Sequence, residues 1–239
     1  NSMGRYNISV KASFRPLERN RVAINVDIDE GTLTRVSNIS INGLTKFSES
    51  DLLGIMDLKA TNILSWWEKD DRYSKTSLSA DLEKIKSFYL DRGYLNFKIV
   101  STDVSITPNK KRLTITIDVD EGDKYTFGDI SISGSINEFS ETDLKSNIII
   151  KKDKVFSSKE VNLSSTNLSN YLGNFGYAFA NINPISKIDE ENKQVSYDFF
   201  VDTGNKIYVR NINFIGNTRT KDKVLRREMR QFESSWYDD

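Results

Sequence analysis

The residues that could carry chemistry are few and their types are restrictive. The 239-residue chain has no His and no Cys. Without them there is no Ser-His-Asp or Cys-His nucleophile, no HExxH zinc site, no thiolate ligand and no disulfide framework. Carboxylate pairs remain, Asp118/Asp120 and Glu190/Glu191 among them. Strand alternation puts Asp118 and Asp120 together on a polar face, and no EF-hand spacing surrounds them, so they read as surface charge and not as a metal or acid–base pair. Gly93 and Gly176 belong to no phosphate-binding glycine pattern. These features predict a protein that is not an enzyme and has no cofactor or metal. Lys and Arg number 34 and Asp and Glu number 34, so the formal net charge is zero, and a nucleic-acid partner is not expected.

Three further groups could make contacts without making bonds. Trp66-Trp67 is either an exposed aromatic anchor or a cap on its own small core, and Asp70-Asp71-Arg72-Tyr73 beside it reads as a solvated turn. Lys221, Lys223, Arg226, Arg227 and Arg230 put basic side chains on neighbouring turns of one helix, open to a nucleic-acid, lipid-headgroup or merely solvated reading. The stretch 97–106 is the third group. Phe97 and Ile99 sit on odd positions and Val104 and Ile106 on even ones. One strand through all four must slip by a residue, which predicts a bulge near Val100–Asp103 and hence a sheet edge. Such an edge is either a docking strand or one guarded against pairing by Lys98 and the bulge.

The elements that must position these residues come in repeats. Glu30-Gly31, Glu121-Gly122 and Thr203-Gly204 each precede an alternating strand that ends in glycine, at Gly43, Gly134 and Gly216. The first two landmarks are 91 residues apart in both series, and the next two are 82 apart in both. Gly93-Tyr94 and Gly176-Tyr177 add a third landmark, placed where a helix takes a left-handed C-terminal cap. Each full repeat reads strand, helix, helix, strand, strand. The opening strands carry Ile39/Ile41 and Ile130/Ile132. The first helices start at Ser48 and Ser140, each with an Asp three residues on, at Asp51 and Asp143. Leu78, Leu82, Ile85 and Tyr89 form the apolar stripe of the second helix. Its successor offers Val161, Leu168 and Leu172 with Ser165 in place of Leu82, which predicts a weaker grip on the core. The closing hairpin runs through Val104-Ile106, a turn at 108–111, and Leu113, Ile115, Ile117 and Val119.

Residues 5–31 supply only a closing hairpin and 205–239 only an opening strand and part of a first helix. Isolated hairpins are marginal in water, so the chain is expected to be a piece of a longer array. No apolar run approaches the ~18 residues of a membrane-spanning helix, and no secretion signal opens the sequence.

Tandem βααββ units of this length resemble POTRA domains. Several strings are similar to the periplasmic arm of the Gram-negative outer-membrane protein assembly factors: Arg19-Asn20-Arg21-Val22, Trp66-Trp67, Tyr89-Leu90-Asp91-Arg92-Gly93-Tyr94, Thr107-Pro108-Asn109-Lys110-Lys111, Tyr208-Val209-Arg210, and the 224–231 stretch VLRREMRQ. The resemblance implies an α+β fold of tandem POTRA repeats, each a three-stranded mixed sheet with two helices on one face. It implies that 1–31 closes the second POTRA domain, 32–122 is the third, 123–204 the fourth, and 205–239 the start of the fifth. It also implies a scaffold at the periplasmic face of the outer membrane, anchored in the full-length protein by a C-terminal barrel. Its partners would be the lipoproteins BamB and BamD and unfolded outer-membrane proteins. By the same resemblance Val104 and Ile106 match the apolar contacts of the edge strand that holds BamB, and Arg226 and Glu233 lie at the BamD contact. Ser234-Ser235 departs from the Gly that the family usually has before its Trp. The alternative within the wider Omp85 class is the POTRA region of a two-partner secretion translocator.

Overall fold

The computed structural model describes residues 5–6, 9–18, 21–29, 32–61, 73–109, 111–136 and 138–237. Trp66, Trp67 and 70–72 lie outside the described residues. The chain divides into two compact units, one built on residues up to Tyr89 with Asn96–Gly122, the other on Leu90–Leu95 with the residues from Asp123 onward.

In the first unit β1 (Arg5–Tyr6) pairs with β4 (Thr32–Leu33), and β2 (Ser9–Leu17) pairs with β3 (Arg21–Asp29) as an antiparallel hairpin. A complete repeat follows: β5 (Arg35–Asn42), α1 (Glu49–Ile55), α2 (Lys75–Leu90), β6 (Lys98–Ile106) and β7 (Arg112–Asp120). β7 is central, parallel to β5 and antiparallel to β6. The alternation read from the sequence decides which face is covered. Leu113, Ile115, Ile117 and Val119 are buried, and with them Ile39, Ile41, Leu52, Leu78, Ile85 and Tyr89. The intervening Thr114, Thr116 and Asp118 face outward.

The second unit repeats the plan with β8 (Thr126–Gly134), α3 (Glu141–Ser146), α4 (Ser158–Gly173), β9 (Asn181–Asp189) and β10 (Gln194–Asp202), in the order β8-β10-β9. Its core holds Phe127, Leu144, Phe156, Leu168, Leu172 and Phe199. The unit ends with β11 (Tyr208–Val209), α5 (Asp222–Glu228) and β12 (Ser235–Trp236), the last pairing back onto β11. The landmark glycines at the ends of β5 and β8 have a steric reason. At Gly43 (φ +90°) and Gly134 (φ +97°) a Cβ would lie 2.1 and 2.2 Å from the carbonyl oxygens of Val119 and Val201. No side chain fits there, and the left-handed backbone also favours glycine.

Two local expectations need correction. Ser48 and Asp51 do form a reciprocal capping box, with the Asp51 N–H donating to Ser48 Oγ at 3.2 Å and the Ser48 N–H to Asp51 Oδ2 at 3.1 Å. Ser140 stands at the matching N-cap, but its side chain makes no capping bond. The α2 stripe is also rotated by one residue: Leu78, Asp81, Ile85 and Tyr89 are buried and Leu82 is only half-buried. In α4 the matching buried set is Val161, Ser164, Leu168 and Leu172, and Ser165 is peripheral. Replacing a leucine by Ser165 therefore does not thin the centre of that core. The inward polar residue has a purpose in both repeats, because it holds the backbone of the segment between the two helices. Asp81 accepts the N–H groups of Asp57 and Leu58, both at 2.8 Å, and Ser164 Oγ accepts that of Ile149 at 3.1 Å. A buried polar group is tolerated when it is bonded in this way.

Candidate functional site

A three-stranded sheet has two borders, and in each repeat one of them is sealed by the chain itself. On β5 the Ile41 N–H donates to Glu49 Oε1 at 2.9 Å, and the Val36 carbonyl accepts from the Thr61 N–H at 2.8 Å. On β8 the Phe127 N–H donates to the Lys154 carbonyl and the Phe127 carbonyl accepts from Asp153, both at 2.8 Å. The other borders are β6 and β9, which among the described residues pair with their central strands alone.

β6 is the edge that the parity of its apolar residues predicted. Its register against β7 slips between Ile99 and Ser101, so Val100 is the bulged residue, 67% exposed. Below the bulge the ladder is regular. The Thr107 N–H donates to the Arg112 carbonyl at 2.9 Å. Antiparallel bonding alternates along a strand. Ser105, Asp103 and Ser101 therefore turn their backbone groups toward β7, and Ile106, Val104 and Thr102 turn theirs outward. Three consecutive outward residues offer N–H and C=O groups to an added strand.

The side chains divide the flanks of this edge. Val104 lies opposite Ile115 and Ile106 opposite Leu113, so both stand on the helix-covered side. Val104 is half-buried and Ile106 is 39% exposed. Ser101, Asp103 and Ser105 stand on the open face, opposite Asp118, Thr116 and Thr114. Asp118 ties the three strands together there, accepting from Ser101 Oγ at 2.6 Å and from Asn42 Nδ2 at 2.9 Å. Those two bonds, Ser101 first, hold its carboxyl below the usual carboxylate range. Ser101 follows the bulge directly, so this carboxylate fixes where the regular edge begins. Asp120 instead accepts the N–H of Gly122 at 3.2 Å, a turn contact.

Arg226 and Glu233 are brought together, but with each other. Glu233 Oε1 lies 3.0 Å from Arg226 Nη1 and accepts the Ile212 N–H at 2.7 Å. Arg226 Nη2 donates to the Ile212 carbonyl at 2.8 Å, and the guanidinium lies over Phe214 at 5.4 Å. The Ile212 N–H, and next the Arg226 side chain, hold the Glu233 carboxyl below its ordinary range. The pair closes a loop of its own chain. Of the neighbouring basic residues, Arg227 pairs with the adjacent Glu228 at 3.1 Å.

Sequence reasoning missed the buried carboxylate of Glu121, visible only as punctuation before Gly122. It accepts from Thr45 N at 2.7 Å, Thr45 Oγ1 at 2.6 Å, Lys46 N at 2.9 Å and the Tyr89 hydroxyl at 2.7 Å. Burial is the largest single influence on it and pushes its carboxyl up. The bonds from Thr45, Tyr89 and Lys46 together outweigh burial and hold it low.

The POTRA family model, described as a surface antigen variable number repeat, matches residues 34–122, 125–204 and 207–239. The chain belongs to the POTRA family. Its POTRA repeats are similar to the outer membrane protein assembly factor BamA of Neisseria meningitidis, 33% identical over 235 residues that cover 98% of this chain and 30% of that protein. BamA of Buchnera aphidicola is 30% identical over 223 residues, covering 92% of this chain and 36% of that protein. The chain thus spans about a third of the length of these curated relatives. Among solved structures, the POTRA3-5 segment of Haemophilus influenzae BamA superposes with a TM-score of 0.71 at 27% identity, covering 87% of this chain and 81% of that one. The α+β reading, with mixed three-stranded sheets, stands.

Proposed function

We propose that this chain is the periplasmic POTRA region of an outer-membrane β-barrel assembly factor and that it acts as a scaffold, not an enzyme. Residues 32–122 are the third domain and 123–204 the fourth, with 1–31 closing the second and 205–239 opening the fifth. Its task is to hold the lipoproteins BamB and BamD and to guide unfolded barrel precursors toward insertion at the periplasmic face of the outer membrane.

The observation that carries this reading is the open border of β6. In strand addition, main-chain bonds supply affinity and flanking side chains supply selectivity, so clients of different sequence can use one edge. The flanks of β6 define such a client. An added strand meets Val104 and Ile106 on one side and Ser101, Asp103 and Ser105 on the other, so it must alternate apolar and polar residues. The Asp103 carboxylate favours a basic or hydroxyl side chain beside it. BamB presents such a segment to Thr102, Val104 and Ile106, and precursor strands share the pattern, since barrel strands alternate by nature. BamD meets the region of α5, where Glu233 reaches a partner only by sharing or leaving Arg226.

Substitution of Val104 by proline tests the assignment. It deletes an outward N–H without touching the bonds to β7, and proline is tolerated on edge strands in this orientation. V104P is expected to weaken BamB binding at least about tenfold, the equivalent of one or two lost hydrogen bonds, while far-ultraviolet circular dichroism stays unchanged. Undiminished binding in a titration by calorimetry would refute the docking role of β6.

A further inference from the structure

The two open borders are not equivalent, and the difference is a single residue. In β9 the ladder to β10 runs from Asn181 to Asp189 with no shift in register, and Pro184 lies within it opposite Phe199. Proline has no N–H, and its ring fills the space through which that hydrogen would point. Inside an unbroken ladder such a residue fits only where its nitrogen faces away from the partner strand. Pro184 therefore faces the free border, and by alternation Ile182, Ser186 and Ile188 share that direction. The outward row reads amide, ring, amide, amide. An extended segment laid along β9 would lose a central hydrogen bond and meet the pyrrolidine ring.

The flanks show why a guard belongs there. Ile185 and Ile188 are 49% and 45% exposed, and every residue from Ile185 to Asp189 is exposed. An unpaired strand with accessible apolar side chains is the kind that recruits other strands, and natural sheets blunt it with proline, charge or a bulge. In β6 the irregular residue is Val100, next to the Ile99–Val119 pair. Phe199 in β10 occupies the place of Ile117 in β7, whose partner in β6 is Thr102, so Pro184 stands just below the level of the bulge, where β6 keeps an outward amide. Their effects differ. The bulge ends the regular border of β6 and leaves Thr102, Val104 and Ile106 continuous below it. The proline divides the border of β9.

We infer that Pro184 keeps β9 from accepting an added strand, so that strand addition in this chain is confined to β6. The inference rests on the docking role proposed for β6, and its test separates the two. The probe is a synthetic nine-residue peptide of alternating Val and Thr with a lysine at each end, added to the isotope-labelled 239-residue chain. Backbone amide shifts are followed by NMR. In the unsubstituted protein the amides of Thr102, Val104 and Ile106 should move and those of Ile182, Ser186 and Ile188 should not. In P184V the second set should move as well. P184A, which restores the N–H without a β-branched side chain, serves as a second variant, and a well-dispersed spectrum confirms folding of both. The inference is overturned if the β9 amides of the unsubstituted protein respond as strongly as those of β6, or if they stay silent in both variants. A response in P184V on β9 while β6 stays silent would uphold the guard and remove the docking role of β6.

Discussion

Glu121 is a carboxylate that should dominate the acid sensitivity of the first repeat. Four donors surround it, from Thr45, Lys46 and Tyr89, and it is nearly inaccessible to water. Its folded-state pKa lies below the unfolded value, so its stabilisation is present above pH ~4.5 and is lost as pH falls through the lower, folded value. E121Q keeps the shape but replaces charge-assisted acceptors by a weaker one, and about 1–3 kcal/mol of stability should disappear at pH 7 in urea unfolding. The loss should shrink as pH falls through that lower value and the native side chain itself takes up a proton. Asp118 makes a different prediction. D118A should leave the core untouched but release Ser101, so that hydrogen exchange accelerates at the amides of Ser101 and Asp103, which bond to β7, and not at those of Ile115 or Ile117. Uniform acceleration across β7 would show that Asp118 supports the whole sheet instead of the border. Neither carboxylate role was readable in the sequence. Hydrophobic patterning assigns Asp and Glu to the surface, and only the converging donors show that Glu121 and Asp81 are inside.

At the scale of elements, the strands were legible and the helix registers less so. Period-two alternation in 113–119 named every inward residue of β7, because a strand offers only two faces and a one-residue slip exposes the whole apolar set. The same parity rule located the bulge and, through it, the edge. On α2 a stripe spaced 4, 3, 4 is compatible with two neighbouring faces, and hydrophobic patterning favours Leu82 over Asp81 at the position where they differ. Truncating a residue that both readings share should be costly: I85A, fully buried in α2, should lose about 2–5 kcal/mol. L82A, at the half-buried position, should lose clearly less. Equal losses in chemical unfolding would restore the original stripe. The resemblance implies that Arg226 and Glu233 face another protein, and no spacing or pattern in the sequence signals that Ile212 bridges them. A contact seven residues apart through a third segment is a tertiary fact.

For the whole molecule, the absence of His leaves no side chain with an ordinary pKa between 5 and 8. Every carboxyl with a resolved shift among the described residues is held low: Asp118, Glu121, Asp129, Glu138, Glu141, Asp189 and Glu233. A lowered carboxyl stabilises above its unfolded pKa, here near 4, and stops doing so as it protonates. Thermal unfolding midpoints should therefore form a plateau from about pH 6 to pH 8 and fall below about pH 4.5. A strand border read through backbone groups, as proposed for β6, should likewise bind its partner evenly across that plateau. In the function proposed above, the border of β6 is where another strand is received. Hydrogen exchange of individual amides, with and without saturating BamB, tests it most directly. Protection of Thr102, Val104 and Ile106 in the complex, with Ile182, Ser186 and Ile188 unchanged, is the result expected; a saturated complex in which the three β6 amides exchange as fast as in the free chain would contradict it.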